Sequence, residues 1–163
     1  MSTKKCAAAC MAVWMLLSLS GCTKFEPADV QDGYSTDFSR STVEYTIYMS
    51  DKVATATNIL YTRMISAANV IKGTYPAELE LENTKEAVSK MQELIDTLTT
   101  TMPPQQYETD RQTLLDQFGQ AKTYLEDYQA HLENGDTGSI SSDISLMEAA
   151  ALSFGGEANA AYK

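Results

Sequence analysis

Cys22 is the residue whose type and position point most directly to chemistry. It ends the run Leu19-Ser20-Gly21-Cys22, which closes an N-terminal segment that begins with Met1 to Lys5 and continues through mostly apolar residues. A basic start, an apolar stretch and small residues before a cleavage point are typical of a secretory signal peptide. The apolar stretch is too short for a membrane-spanning helix. The sequence therefore predicts an exported protein whose N-terminal segment is cut away.

The Leu19-Ser20-Gly21-Cys22 run resembles the lipobox of bacterial lipoproteins. The resemblance implies that signal peptidase II removes residues 1–21 and that Cys22, the predicted lipidation site, becomes a diacylated N-terminus. It also implies a lipid anchor on the extracytoplasmic side of the cell membrane. In an organism with two membranes, Thr23 in place of an aspartate would permit transport to the outer membrane. The resemblance covers residues 1–22 only.

Cysteine and charge counts limit the classes of protein to which the mature chain can belong. Cys6 and Cys10 lie within the predicted signal, so Cys22 is the only mature thiol and no internal disulfide can form. Loss of Lys4 and Lys5 leaves 10 basic against 22 acidic residues, a net charge of −12. Because nucleic-acid binding needs a basic surface, we predict no nucleic-acid partner.

The sequence lacks the residue patterns of metal, haem and nucleophile sites. His131 is the sole histidine, and Tyr128 stands three residues before it, so the Glu-x-x-His motif of di-iron bundles does not occur. Cys-x-x-Cys-His and Gly-x-Ser-x-Gly are missing as well. We interpret Ser141-Ser142-Asp143 as helix-capping residues. The sequence thus predicts a protein that is not an enzyme, with no catalytic residue, metal site or cofactor.

Tyrosine is the most informative residue type in the predicted mature chain, which contains all nine tyrosines. Tyr45, Tyr48 and Tyr124 fall off the predicted apolar stripes, and tyrosine is enriched at binding surfaces. They form our candidate partner surface. The competing interpretation is that they are the amphipathic flanks of buried stripes.

Four amphipathic segments follow a segment without apolar periodicity. Residues 22–36 are predicted to be the lipidated N-terminus and a flexible tether. From about residue 37, apolar residues recur at helical spacing, and breakers at Gly73, Pro76, Pro103-Pro104 and Asn134-Gly135 separate the segments. The predicted stripes are Val43, Ile47, Val53, Leu60, Met64, Ala67 and Ile71; Leu81, Val88, Met91, Ile95, Leu98 and Met102; Tyr107, Leu114, Phe118, Ala121, Leu125, Tyr128 and Leu132; and Ile140, Ile144, Met147, Ala151 and Phe154.

These segments predict an all-α domain over residues 37–163, folded as an antiparallel up-and-down four-helix bundle. A coiled-coil assembly is the alternative. Two boundaries stay open: the second helix starts at Pro76 or restarts at a cap on Asn83, and the fourth ends at Gly155-Gly156 or continues. Asp136 is the predicted N-cap of the fourth helix.

The body resembles small helical lipoproteins of unknown function, which implies no catalytic residue. We therefore predict a membrane-tethered, extracytoplasmic, non-enzymatic lipoprotein that acts as a protein-binding or structural module of the cell envelope, with an envelope protein as its partner. The alternative is a small-ligand or haem carrier that uses the bundle interior. Small residues that would leave room for a ligand are Ala54, Ala67, Ala68, Ala121 and Ala151.

Overall fold

The computed structural model describes residues 36–160, and side chains are described as far as Phe154. Four α-helices make up most of this part: α1 (Thr42–Ile71), α2 (Ala77–Thr100), α3 (Glu108–Glu133) and α4 (Ile140–Ala160), with a 3-10 turn at Gln105–Tyr107. Residues 36–160 contain no strand, and the predicted all-α class is confirmed for them. The predictions for Cys22, the signal and the tether as far as Ser35 lie outside the described residues.

The helices pack against one another through their apolar stripes. Helix α1 contacts α2 and α4, and α3 also contacts α2 and α4. The rings of Phe118 and Phe154 meet edge to face, with centroids 5.0 Å apart, and join α3 to α4. The predicted stripe of α3 is confirmed over the helix itself, where its buried residues are Leu114, Phe118, Ala121, Leu125, Tyr128 and Leu132.

A glycine-ended turn connects α1 to α2. Gly73 has a φ of +66°, and its N–H donates to the carbonyl of Val70, which closes the last turn of α1. Pro76 then fixes an extended conformation immediately before the first residue of α2, Ala77. The first of the two predicted starts is therefore right, and Asn83 lies inside the helix.

The other two connections also contain the predicted breakers. The Met102 N–H donates to the Thr36 carbonyl, and the Phe38 N–H donates to the Met102 carbonyl, so residues 36–38 pair with the α2–α3 connection over 2.8 Å bonds.

Gly135 (φ +65°) ends α3. Asp136 is not the N-cap of α4, which begins four residues later. Its carboxylate instead accepts hydrogen bonds from the N–H groups of Gly138 and Ser139 in the connecting turn.

Helix α4 continues through the pair Gly155-Gly156 to Ala160. Of the two ends that the sequence left open, the longer one is therefore observed. Glycine lowers helix propensity without removing the backbone donor that the helix needs.

The predicted stripe of α1 is wrong in its first half and at its last residue, Ile71, which is 45% exposed. Val43 and Ile47 are 70% and 66% exposed, whereas Tyr45 and Met49 are buried. The physical reason is the aromatic cluster at this end of the helix, where the Tyr45 ring packs against Phe38 and Tyr107 and buries more apolar surface than a valine would. The correct stripe continues through Ala56, Leu60, Arg63, Ala67 and Val70.

Only some residues of the predicted α2 stripe are buried in the core. Met91 and Leu98 are buried, but Leu81, Val88 and Ile95 are half-buried and Met102 is 57% exposed. The buried line instead runs through Glu80, Thr84, Ala87, Met91, Leu94 and Leu98. Two of its members are polar, and a search for apolar periodicity does not find them.

Leu125→Ala tests the core face of α3. Leu125 is fully buried, so we expect a loss of about 2–5 kcal/mol in the free energy of unfolding, measured by chemical denaturation. Glu126→Ala is the matched control. Glu126 is next to Leu125, but its side chain is exposed and forms a surface ion pair with Lys122, so the substitution should change stability by less than about 1 kcal/mol. Equal losses in the two variants would contradict the assigned face.

Candidate functional site

A buried polar cluster lies where α1, α2 and α3 meet. Glu80 of α2 has no exposed surface, and its Oε2 accepts a hydrogen bond from Nη1 of Arg63 in α1 over 3.0 Å. Its Oε1 accepts from the Tyr128 hydroxyl of α3 at 3.3 Å and from the Thr84 hydroxyl at 3.4 Å. Both carboxylate oxygens are therefore partnered, as a buried charge requires.

Burial shifts the pKa values of Glu80 and Tyr128 more strongly than their charged and hydrogen-bonded neighbours do. Burial raises the pKa of Glu80, and the charge of Arg63 and the hydrogen bond from Tyr128 oppose that rise. Burial and the neighbouring Glu80 carboxylate also raise the pKa of the Tyr128 hydroxyl. Tyr128 thus stays protonated and donates its hydrogen to the carboxylate. The arrangement is a closed ion pair with a fixed donor, and it presents no nucleophile or free base.

A polar cleft of about 220 Å³ lies between α1 and α2 on the side of Arg63. The amide side chains of Asn58 and Asn83 line it, and an ion pair between Glu86 and Lys90 lies along its α2 wall. Pockets for drug-sized ligands measure about 300–1,000 Å³, so this cleft accommodates a few atoms or water and is too small for haem. The remaining lining residues are Ile59, Thr62 and Ala87.

The alternative hypothesis of a carrier depended on small residues in the bundle interior. Ala67, Ala121 and Ala151 are buried, Ala68 is half-buried and Ala54 is exposed. None of these five lines the cleft. The carrier hypothesis therefore gains no support from the cleft.

The three candidate tyrosines do not form one exposed surface. The expectation that Tyr45 faces solvent is wrong, since it is only 3% exposed. Tyr48 and Tyr124 are half-buried and pack against the core. Tyr48 also contacts Phe38 with ring centroids 4.8 Å apart, and its hydroxyl lies 3.4 Å from that of Thr101. The structure brings Tyr45 and Tyr48 together around Phe38, whereas Tyr124 lies on α3.

Tyr45 is unusual because its buried hydroxyl has no hydrogen-bond partner among the described residues. Burial raises the pKa of that hydroxyl to about 12. An unpartnered buried hydroxyl costs about 1–3 kcal/mol, which the aromatic packing around it must offset.

His131 and Asp143 form a second polar contact that the sequence analysis missed. His131 Nδ1 lies 2.9 Å from Oδ2 of Asp143, and Asp143 is only 2% exposed. The bond joins the last turn of α3 to the first turn of α4. Asp143 is thus a buried partner of the sole histidine, where the sequence predicted a capping residue. The spacing of Asp143 from Ile140 and Met147, at three and four residues, was the signal that placed it on the core face.

Metal ligands do not converge in residues 36–160, where no group of three or more His, Cys, Asp or Glu side chains is arranged to hold an ion. Within the same residues, no helix combines the length and apolarity that crossing a bilayer requires. No protein-family model, curated protein or solved structure matches this chain.

Glu80→Gln tests the buried ion pair. It leaves the Arg63 charge buried without its counter-ion, so we expect a loss of about 3–5 kcal/mol in unfolding free energy. The exposed Glu82 on the same helix supplies the control variant Glu82→Gln, which should change stability by less than about 1 kcal/mol. The double variant Arg63→Met with Glu80→Leu removes both charges and should recover most of the loss, because well-packed apolar groups replace a buried pair at little cost. A double variant as unstable as Glu80→Gln would contradict this account.

The His131–Asp143 bond makes stability depend on pH. The hydrogen bond to Asp143 raises the pKa of His131 above 6.5, so the folded state binds this proton more tightly than the unfolded state. The resulting stabilisation is fully present below pH 6.5 and is lost as the pH rises through the folded-state pKa. We expect the melting temperature to fall over that range, and His131→Asn to remove this part of the dependence. NMR titration of the single imidazole should show its pKa returning towards 6.5 in Asp143→Asn. An unchanged imidazole pKa in that variant would refute the assignment.

Proposed function

We propose that this chain is an extracytoplasmic lipoprotein, anchored to a membrane through Cys22, whose helical body acts as a non-enzymatic protein-binding or structural module of the cell envelope. The observation that carries the proposal is the Leu19-Ser20-Gly21-Cys22 run behind a basic and apolar N-terminal segment. An all-helical body with a closed, fully partnered polar cluster is in keeping with a binding or structural role.

We further propose that the four helices form an antiparallel up-and-down bundle. Contacts between consecutive helices support this arrangement, because residue numbers rise along one helix as they fall along the next. Tyr48 of α1 pairs with Thr101, which directly follows α2, and Arg63 of α1 pairs with Glu80 near the start of α2. The same opposition holds between α2 and α3, where Arg111 donates to the Leu98 carbonyl and Tyr128 to Glu80, and between α3 and α4, where Gln117 meets Ser153 and His131 meets Asp143.

The distribution of polar groups supports a non-enzymatic role. The buried carboxylate of Glu80 is held by an arginine, a tyrosine and a threonine, so it is not available as a general base. His131 is the only histidine, and one of its ring nitrogens is engaged by Asp143. Polar side chains that are engaged in this way favour a protein-binding or structural role over catalysis.

Cys22→Ser tests the anchor. Only a thiol can form the thioether, so the variant should accumulate as an unprocessed precursor without lipid, while the wild type partitions with membranes. Stable anchoring needs two or more acyl chains, so detergent phase separation should place the wild-type protein wholly in the detergent phase.

Cys10→Ser is the matched control, because Cys10 lies within the predicted signal and outside the lipobox. It should be processed and lipidated like the wild type. If wild type and Cys22→Ser have the same size and partition alike, the lipoprotein proposal fails.

A further inference from the structure

The outer side of α1 carries an exposed apolar stripe. Five of the eight large apolar side chains that are strongly exposed in residues 36–154 lie on this one helix. Val43, Ile47 and Ile65 are 65–70% exposed, and Tyr61 is 41% exposed. Exposed apolar residues that align in this way mark interaction sites more often than solvated surface.

The stripe lies opposite the bundle core. At 3.6 residues per turn, Val43, Ile47, Ala54, Tyr61 and Ile65 fall within about 40° of one another on the helix surface. Buried residues of α1 occupy the other side. Ala54 is exposed and lies on the line between Ile47 and Tyr61. Helix α1 therefore has two apolar faces, and the described residues cover only one of them.

The stripe is symmetric about Ala54. Ile47 and Tyr61 each stand seven residues from Ala54, and Val43 and Ile65 each stand eleven residues from it. A two-fold axis through Ala54 would place Ile47 against Tyr61 of a second copy, and Val43 against Ile65. Such self-complementarity is what an isologous interface requires. The small side chain at the centre would let the two helices approach closely.

Charge also favours a second copy on this face. Helix α1 carries only two acidic residues, Glu44 and Asp51, whereas α2, α3 and α4 carry net charges of −4, −4 and −3. Two copies that meet through α1 keep their acidic helices apart. In the antiparallel register, Glu44 falls opposite Met64 of the second copy and Asp51 opposite Thr57, so no like charges meet.

Two threonines near the stripe need no hydrogen-bond partner from outside. The Thr55 and Thr62 hydroxyls donate to the carbonyls of Asp51 and Asn58, one turn back along the helix. Covering these two hydroxyls therefore costs no hydrogen bond. A membrane surface is a poorer occupant, since helices that lie on membranes carry Lys and Arg along the polar face and α1 has only Lys52 exposed to any extent.

We infer that the chain forms a two-fold homodimer through the outer face of α1, packed antiparallel about Ala54. This inference deepens the proposed function by naming the partner of the binding module as a second copy of the chain. The homodimer does not depend on the lipobox. The dimer test can therefore fail while the anchor test succeeds, and the anchor test can fail while the dimer test succeeds.

Cysteine cross-linking of the full chain in cells tests both the face and the register. Under oxidation, Ala54→Cys should give a covalent dimer, because the two-fold axis brings the two copies of this position together. Co-expressed chains carrying Ile47→Cys and Tyr61→Cys, with different tags, should give the mixed dimer. Neither variant alone should cross-link, since residues 14 positions apart are separated by about 21 Å along a helix and a disulfide spans at most about 7 Å between Cα atoms.

Two controls complete the design. The wild type reports any cross-link through the native cysteines, and Ser89→Cys places a thiol on the exposed face of α2. Adding Ile65→Glu to Ala54→Cys should lower the cross-linked fraction about tenfold, because it introduces a charge into each half of the interface. Thr99→Glu on α2, at an exposed position, should leave that fraction unchanged, and circular dichroism should show equal helicity in both.

The pattern of products decides the outcome. Dimers of Ile47→Cys alone and Tyr61→Cys alone would indicate a parallel pair and overturn the inferred register. No dimer of Ala54→Cys above the level of Ser89→Cys, or cross-linking of Ala54→Cys only to a different protein, would overturn the homodimer itself.

Discussion

The carboxylate of Glu80 joins three helices of this protein. It lies on α2, accepts a hydrogen bond from Arg63 on α1, and accepts another from Tyr128 on α3. A buried charge that loses its partner costs several kcal/mol, so the three helices pack well only in the register that brings these side chains together. The ion pair therefore favours the observed alignment, because a shifted one would leave both buried charges without a partner.

Other contacts hold the two ends of the helices in that same alignment. At one end, Phe38, Tyr45, Tyr48 and Tyr107 form an aromatic cluster beside the bridge between residues 36–38 and Met102. At the α3–α4 connection, the bond from His131 to the buried Asp143 links the two helices across the turn. The buried Tyr45 hydroxyl in this cluster has no hydrogen-bond partner within residues 36–160, which indicates that shape and apolar area decide the packing there.

Surface charge separates α1 from the other helices. Acidic residues on α2, α3 and α4 favour solubility and oppose close association through those helices. The outer stripe of α1 from Val43 to Ile65 consists of apolar residues, and the Thr55 and Thr62 hydroxyls near it are already bonded within the helix. Burial in the core and exposure on the outside thus divide this helix into two apolar sides with different roles, one for folding and the other, as we infer, for association.

The sequence by itself determined the all-α class, the four helices and most of their ends. Breakers such as Gly73 and Pro103 act locally through backbone geometry, so their effect is readable without knowing the neighbours. The stripe of α3 was also readable, because every residue that the helix buries is apolar or is Tyr128. Prediction of an anchor at Cys22 rests on the same kind of local pattern.

Only the tertiary structure decided which polar residues are buried and which tyrosines are exposed. Arg63 and Glu80 are 17 residues apart, and each is acceptable in the interior only because the other is there. Tyr45 replaces Val43 in the core because Phe38 and Tyr107 surround it. Such choices depend on partners that are distant in sequence, and the apolar periodicity of a single helix does not identify those partners.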